Sequence, residues 1–254
     1  MKLLFGAVIL TATMGTSSLS QAQTAEKRAE RPDIVTRATV KAGSSLLSRG
    51  DTLTDGPVIE PSVYFFHTSG LGFGVWTYMP MLDSDGENSF VPDQDKREPG
   101  RIDFRFLYSV PTPKLISARL MYLQYYYPQG NALNIDVLED AIGIVSLNTP
   151  LHPTISASYG LSEPIKRDSY VEASVDQDVF KAGRQKVNVK ALAAYRQYDD
   201  DTKTDGWSHW GMEARYQMGP VGVEARHLEQ IDEDVRKLSS TTKTSGAVSY
   251  THTF

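Results

Sequence analysis

The chain has 254 residues, a formal net charge of −5 and no cysteine. Without cysteine it can form no disulfide framework, no thiolate nucleophile and no cysteine metal site. The acidic balance argues against a protein dedicated to binding nucleic acid, so we expect no nucleic-acid partner.

The first 22 residues have the pattern of a secretory signal peptide. A basic start at Lys2 precedes an apolar run over residues 3–10, and Ser20-Gln21-Ala22 offers a small-residue cleavage site. The apolar run is shorter than the roughly 20 residues that a membrane-spanning helix needs. We therefore predict a signal peptide over residues 1–22, with a retained N-terminal anchor as the alternative.

Residues 23–37 are charged and lack the alternation of polar and apolar side chains that marks a strand. We predict a flexible periplasmic lead-in over this stretch. The sequence leaves open whether the lead-in stays outside the following domain or folds into it as a plug.

From Ala38 to Phe254 the chain divides into segments of alternating polarity, separated by turn residues. Segments of roughly ten residues with this alternation are typical of a transmembrane β-barrel, in which every second side chain faces lipid. We predict an all-β fold over residues 38–254, a closed antiparallel up-and-down barrel of about 12 strands. The predicted strands are residues 38–49, 56–66, 71–81, 101–110, 115–127, 134–146, 153–161, 168–179, 186–198, 206–218, 220–230 and 244–254.

A soluble exported β-protein would also alternate, but two features favour the membrane barrel. The apolar faces repeatedly end in Tyr, Trp or Phe, as interfacial aromatic belts do. Short joints with Gly or Pro alternate with longer or more charged connections, as short periplasmic turns alternate with outer loops in outer-membrane barrels. An even number of strands then places both termini in the periplasm.

The connection over residues 83–100 is acidic. Its start, residues 83–88, contains oxygen ligands around a glycine, but the full spacing and the closing Glu of a calcium loop are absent. We interpret it as a surface loop, and we predict no metal site and no cofactor.

Two segments follow the alternation less well. Gln124 interrupts the pattern in residues 115–127. The carboxylates of Asp136, Glu139 and Asp140 predict that residues 134–146 form a bent or loop-like strand.

Charged side chains collect on the faces that we expect to point inward, because a charge facing lipid would cost about 2–4 kcal/mol at mid-membrane. Basic residues outnumber acidic ones there, which predicts a polar pore that favours anions. The alternative is a ladder of ion pairs that fills the barrel and only stabilises it. The predicted pore-lining residues are Lys41, Arg49, Arg101, Asp103, Arg105, Arg119, Glu172, Lys190, Arg196, Glu213, Arg215, Glu224 and Arg226.

An enzyme is the less favoured interpretation, although some barrels of this size hydrolyse lipids. Catalysis would need a histidine beside a hydroxyl and an orienting group. The sequence contains no Gly-x-Ser-x-Gly motif, and its five histidines have no metal-binding spacing. We predict that the protein is not an enzyme and has no catalytic residues.

The last predicted strand, residues 244–254, ends the chain on an aromatic residue. Val248, Tyr250 and Phe254 share one face, and pairing with the first strand would remove an exposed edge. The stretch resembles the C-terminal signal strand of bacterial outer-membrane barrels, although His252 departs from the usual apolar residue. The resemblance implies that the barrel-assembly machinery recognises this strand.

Residues 47–82 carry a second resemblance. They contain Ser48-Arg49-Gly50, then a polar turn, then a Gly-aromatic strand that holds Trp76, and Tyr125-Tyr126-Tyr127-Pro128 follows later. This order of motifs resembles the TorF family of porins, with Ser in place of the more usual Phe before Arg-Gly. The resemblance implies an outer-membrane channel whose solute is undefined.

These patterns together predict a monomeric bacterial outer-membrane barrel in contact with lipid and lipopolysaccharide. Its narrow polar lumen would pass small hydrophilic solutes by passive diffusion. A non-conducting structural or adhesive barrel is the alternative.

Overall fold

The computed structural model describes residues 33–49, 51–82, 98–128, 136–200, 203–231 and 242–254. Within these ranges the chain forms fourteen strands. They are β1 (Ile34–Gly43), β2 (Leu46–Ser48), β3 (Asp51–Thr54), β4 (Val58–His67), β5 (Leu71–Pro80), β6 (Arg101–Val110), β7 (Ile116–Tyr126), β8 (Val137–Leu147), β9 (Thr154–Gly160), β10 (Ser169–Ala182), β11 (Gln185–Gln197), β12 (Gly206–Met218), β13 (Val221–Gln230) and β14 (Thr242–Thr253).

Twelve of these strands form a closed antiparallel barrel, which confirms the predicted fold class. Each barrel strand pairs with its two neighbours in the wall. Strands β2 and β3 form a separate two-stranded sheet. The wall closes because β1 pairs with β14 as well as with β4. The described residues contain no helix of the length and apolarity that crossing a membrane requires.

The two faces of each strand differ in polarity as the alternation predicted. On β6, Arg101, Asp103 and Arg105 point inward and are buried, whereas Phe106 and Tyr108 on the outer face are exposed. On β14 the exposed outer residues include Val248, Tyr250 and Phe254. The barrel therefore has an apolar outer surface and encloses its ionised groups, which is the arrangement that a lipid environment requires.

The connections are short at the end of the barrel that holds Ile34 and Thr253, and we call it the short-turn end. One of its turns, between β4 and β5, depends on glycine at position 70. Gly70 has a φ of 91°, and a Cβ there would lie 2.7 Å from the carbonyl oxygen of Ser109 on β6. Any other residue would strain the backbone and collide with the neighbouring strand.

Two predictions about the first strand are wrong. Strand β1 begins at Ile34, so residues 34–37 belong to the wall and not to the lead-in, while residues 23–32 lie outside the described ranges. It also ends at Gly43, whereas we predicted a strand to residue 49. The sequence misleads here because residues 46–48 are extended too, but all three are buried and none faces lipid.

The predicted bend in residues 134–146 is also wrong. Strand β8 is continuous, with Asp140 facing inward and Glu139 facing outward. Gln124 keeps the register of β7 and faces outward, where its amide lies 3.4 Å from Glu139 Oε1. Tyr122 donates a hydrogen bond of 2.6 Å to the same oxygen, so this outer carboxylate has polar partners on the adjacent strand. The signal peptide and the acidic residues 83–88 lie outside the described residues.

A charge placed on the outer face should destabilise the barrel according to its depth. We expect Val248→Arg, in the middle of β14, to lower the free energy of unfolding in phospholipid bilayers by about 2–4 kcal/mol. The control Thr242→Arg, at the end of the same strand, should cost about 0–1 kcal/mol because the side chain reaches the interface. Denaturant titration of both variants measures the difference, and equal costs would contradict the assigned membrane-facing surface.

Candidate functional site: the barrel lumen

The connection between β1 and β4 folds into the barrel interior and forms the hairpin β2–β3. Leu46 and Leu53 pack in a buried cluster with Val58, Trp76 and Tyr78. Leu47 packs in another cluster with Leu192 of β11 and Leu228 of β13. The hairpin therefore contacts the wall on both sides of the lumen and lies across it.

Arg49, at the turn of the hairpin, is its main polar anchor. Its Nη2 donates to Asp140 Oδ2 at 2.7 Å and to the Tyr125 hydroxyl at 3.3 Å, and that hydroxyl donates to Asp140 Oδ2 at 2.7 Å. Arg196 on β11 donates to the carbonyl oxygen of Arg49 at 2.7 Å. The Tyr170 ring lies 5.3 Å from the Arg49 guanidinium and 5.6 Å from that of Arg196.

The backbone of Arg49 fits a tight turn. Its φ of 46° is positive, as the first central residue of a primed hairpin turn requires. A second contact holds the other strand of the hairpin, where the Lys243 ammonium donates to the Thr52 hydroxyl. Hydrogen bonds from β8, β11 and β14 thus fix the hairpin, and these three strands are distant from the hairpin in the sequence.

The wall between β4 and β8 is backed by packed side chains. An apolar cluster there includes Leu123, Tyr125, Leu138 and Ile142, all facing inward and buried. Beside it, Asp103 lies 2.7 Å from Arg101 Nε and accepts a bond of 2.8 Å from Arg105 Nη2. Arg101 also stacks over the rings of Trp76, Tyr125 and Tyr127 at 4.8 to 6.0 Å. Side chains therefore fill this part of the interior.

On the other side, a chain of ion pairs runs along the inner wall. Lys41 on β1 lies 3.4 Å from Glu60 of β4 and 2.5 Å from Glu224 of β13. Arg215 on β12 lies 3.2 Å from Glu224 and 2.7 Å from Glu213. The small inward residues of β14, including Ala247 and Ser249, let the Lys41 side chain reach across that strand.

A cavity of 540 Å³ lies between this ion-pair chain and the packed side. It extends from Leu46 and Leu47 of the hairpin to Gly219 and Pro220 in a turn at the short-turn end. Its charged lining comprises seven basic and four acidic side chains: Arg37, Lys41, Arg105, Lys186, Lys190, Arg215, Arg226, Glu60, Asp176, Glu213 and Glu224. The charge of the lining is therefore positive, although the whole chain is acidic.

The structure separates the predicted pore-lining residues into two groups. Those that line the cavity are Lys41, Arg105, Lys190, Glu213, Arg215, Glu224 and Arg226. Those buried in packed regions are Arg49, Arg101, Asp103, Glu172 and Arg196. Arg119 lies on the inward register of β7 and is partly buried. Their part in transport stays a prediction.

Four charged lining residues were missed. Arg37 was assigned to the lead-in, while Glu60, Asp176 and Lys186 lie on predicted strands. The signal that could have found Glu60 is its parity with Ser62 and Tyr64, which also line the cavity. Arg49 was predicted to line the pore from the barrel wall, but it lies on the hairpin.

The histidines occupy unrelated positions. His209 is buried inside against Tyr170 and lies 3.0 Å from the Ser208 hydroxyl. His227 faces outward, with its Nδ1 3.0 Å from the Thr244 hydroxyl. Among the described residues, no three His, Asp or Glu side chains are grouped so that they could hold a metal ion.

At the opposite end from the short turns, Asp168 ties two connections together. Its Oδ1 accepts the amide of Asp199 at 3.0 Å, and Lys203 Nζ lies 3.5 Å from its Oδ2. Burial raises the pKa of the Asp168 carboxyl, while the Asp199 amide and the Lys203 ammonium oppose that shift. The carboxylate thus holds the connection after β11 against the start of β10.

The closed wall, the apolar exterior and the charged interior define a barrel of the bacterial outer-membrane type. In a comparison with solved structures, the chain is similar to an outer membrane channel from Pseudomonas putida F1, with a TM-score of 0.51 and 10% identity over 92% of this chain and 100% of that one. At this identity the similarity shows the fold alone. The sequence matches no family model and no curated protein, so the TorF resemblance is not confirmed.

Two further structures have the same kind of likeness at lower scores. LpxR from Salmonella typhimurium gives a TM-score of 0.49 at 11% identity, covering 84% of this chain and 99% of that one. The NanC porin gives 0.47 at 11% identity, covering 85% and 97%. Both scores are below 0.5, so neither likeness bears on the fold.

Removing either partner of the Arg49–Asp140 pair should release the hairpin. Each side chain is 1% exposed, so Arg49→Ala or Asp140→Ala leaves a buried charge without its partner and should cost about 3–5 kcal/mol of unfolding free energy. The double variant Arg49→Met/Asp140→Leu should be more stable than either single variant, because it leaves neither charge of this pair buried without its partner. Denaturant titration measures these differences.

The matched control is Lys166→Ala, which breaks an exposed ion pair with Glu163 and should leave the unfolding free energy unchanged. Additive losses in the Arg49 and Asp140 variants would show that the two side chains act independently and would contradict the anchoring role.

Proposed function

We propose that this protein is a channel of the bacterial outer membrane for small hydrophilic solutes, with the hairpin β2–β3 as its constriction. The observation that carries the proposal is the polar cavity of 540 Å³, which extends from the hairpin to the short-turn end. A barrel that only stabilised itself would gain nothing from a charged space of this size, since unfilled volume costs packing energy. The fold shared with the Pseudomonas channel is consistent with this role.

The hairpin is suited to limiting passage without closing the wall. It lies inside a complete cylinder, so it narrows the lumen while every barrel strand keeps its two neighbours. Its contacts are a few side-chain bonds, through Arg49 and Thr52, and two small apolar clusters. The hairpin, held in one position by the Arg49–Asp140 pair, would set the width of the passage.

The lining supports a preference for anions. Seven basic side chains face four acidic ones, and several of the acidic groups already pair with Lys41 or Arg215. Rings of basic side chains favour anions in pores. The short-turn end would face the periplasm, with Phe254 at the membrane interface, where assembly machinery and lipid would meet it.

The second candidate is a non-conducting structural barrel. It is favoured by the buried cluster of Leu123, Tyr125 and Leu138, together with the hairpin, which occupies another part of the interior. Conductance separates the two candidates directly.

Single-channel recording in planar bilayers tests the proposal. We expect small current steps from the native barrel and larger ones when residues 45–55 are replaced by a short Gly/Ser linker, because the constriction is removed. Heat-modifiable gel migration verifies that both barrels are folded. If neither protein conducts current, the channel proposal is wrong and the structural barrel remains as the candidate.

Ion selectivity is tested at a lining residue that is partly exposed. Lys186 lies on the cavity wall, and we expect Lys186→Glu to move the reversal potential in a salt gradient toward that of a cation-selective pore. The control Lys114→Glu changes the charge of an exposed turn and should leave the potential in place. An equal shift in both variants would attribute selectivity to overall charge and not to the lining.

A further inference from the structure

A group of polar side chains faces outward on β13 and β14, at the end of the barrel opposite the short turns. His227 and Glu229 lie on the outer register of β13, close to its end, and Thr244 is the register partner of His227 on β14. Hydrocarbon chains offer no hydrogen bonds, so polar groups on a lipid-facing surface need polar partners. The depth of these groups in the membrane decides which partners they meet.

This polar group lies at the boundary between lipid chains and lipid head groups. Toward the middle of the wall, the outer face of β13 continues with Ala225 and Val223, which are apolar and exposed. Trp210 is the register partner of Glu229 on β12, and 39% of it is exposed on the outer face. Tryptophan at the end of an outward face is typical of the membrane interface, where its N–H group reaches the polar region. Head groups are therefore the partners within reach of His227 and Glu229.

Two neighbours orient the His227 imidazole. Its Nδ1 lies 3.0 Å from the Thr244 hydroxyl, and the Trp210 ring packs edge-on against it, with ring centres 6.3 Å apart and planes at 66°. When the Thr244 hydroxyl donates to Nδ1, the proton of the imidazole is on Nε2. Among the described residues, no group lies within hydrogen-bonding distance of Nε2. The imidazole thus offers an N–H group to an acceptor outside the protein, such as a phosphate oxygen of a lipid.

Glu229 offers a negative charge beside the imidazole. In the part of the chain that the structure describes, no lysine or arginine lies within ion-pairing distance of its carboxylate. Glu139, a carboxylate on the outer face of β8, differs because Tyr122 donates to it at 2.6 Å. An ammonium group between Glu229 and Trp210 would pair with the carboxylate and lie against the indole ring, which attracts cations.

These two recognition elements match the two ends of one head group. His227 and Glu229 are two positions apart on the same face, so they are separated by roughly 7 Å along the strand. In phosphoethanolamine, a link of two carbon atoms joins a phosphate to an ammonium. One such group can therefore meet the imidazole and the carboxylate at the same time.

We propose that this surface binds the phosphoethanolamine head group of a membrane lipid, through His227, Thr244, Glu229 and Trp210. The Nε2–H group of His227 donates to a phosphate oxygen, and the ammonium pairs with Glu229 beside the Trp210 ring. The acyl chains lie along the apolar outer face of β13. This site is on the outside of the barrel, so it goes beyond the proposed channel and does not depend on it.

Native mass spectrometry of the complete barrel, in a detergent without phosphate or ammonium groups, tests the proposal. The probes are phosphatidylethanolamine and phosphatidylglycerol with identical acyl chains, because both carry the phosphate and only the first carries the ammonium. We expect the native barrel to bind phosphatidylethanolamine about tenfold more tightly, as a charge-assisted hydrogen bond implies. Soluble O-phosphoethanolamine should bind about tenfold or more weakly than the lipid, because it has no acyl chains. Equal binding of the soluble compound would contradict a lipid as the ligand.

Two substitutions separate the two ends of the head group. Glu229→Gln should lower the affinity for phosphatidylethanolamine to that for phosphatidylglycerol, because the ion pair is lost. His227→Phe keeps an aromatic ring beside Trp210 and removes the donor to the phosphate. It should weaken the binding of both lipids by about tenfold and keep the preference between them.

The matched control is Glu139→Gln, which removes a carboxylate from the outer face of another strand and should leave both affinities unchanged. Heat-modifiable migration shows that each variant is folded. The site is overturned if the native barrel binds both lipids equally, if Glu229→Gln keeps the preference, or if Glu139→Gln loses it as well. Should Glu229→Gln fail to fold, the lipid comparison on the native barrel and on His227→Phe still decides the outcome.

Discussion

The pairing of β1 with β14 is the constraint on which the rest of this structure depends. In the hydrocarbon region no water is present to satisfy a free strand edge, so every backbone N–H and C=O group must find a partner in the wall. The seam meets this need with a register from Arg37↔Thr253 to Gly43↔Ala247, extended by the bond from the Phe254 amide to the Thr36 carbonyl. Once the cylinder is closed, alternation assigns each side chain to lipid or lumen.

Closing twelve strands creates an interior that wall side chains alone do not fill, unlike that of an eight-stranded barrel. The hairpin β2–β3 occupies part of this space. Leu47 packs on inward leucines of β11 and β13, and Arg49 carries a charge that must be matched by Asp140. A buried pair of this kind is weak evidence for net stability, but it fixes one position for the hairpin, since any other leaves both charges unmatched.

The interior is thereby divided into regions with different roles. Behind the hairpin, the Arg101 guanidinium lies over the Trp76 ring and is buried together with Asp103. In front of it, the pairs from Glu60 through Lys41 to Glu224 line a cavity that continues to the short turns. Transport is proposed for this second region, because there the basic groups meet open space.

The sequence by itself determined the barrel, the place of most strands and the inward direction of residues such as Arg105 and Glu213. It could do so because contact with lipid on one side imposes a two-residue period on every wall strand. It did not reveal the hairpin, since Leu46, Leu47 and Ser48 are all buried and carry no such period. Only the tertiary structure decided which inward charges reach the cavity, because that depends on where Arg49 meets Asp140, a contact between residues 91 positions apart in the chain.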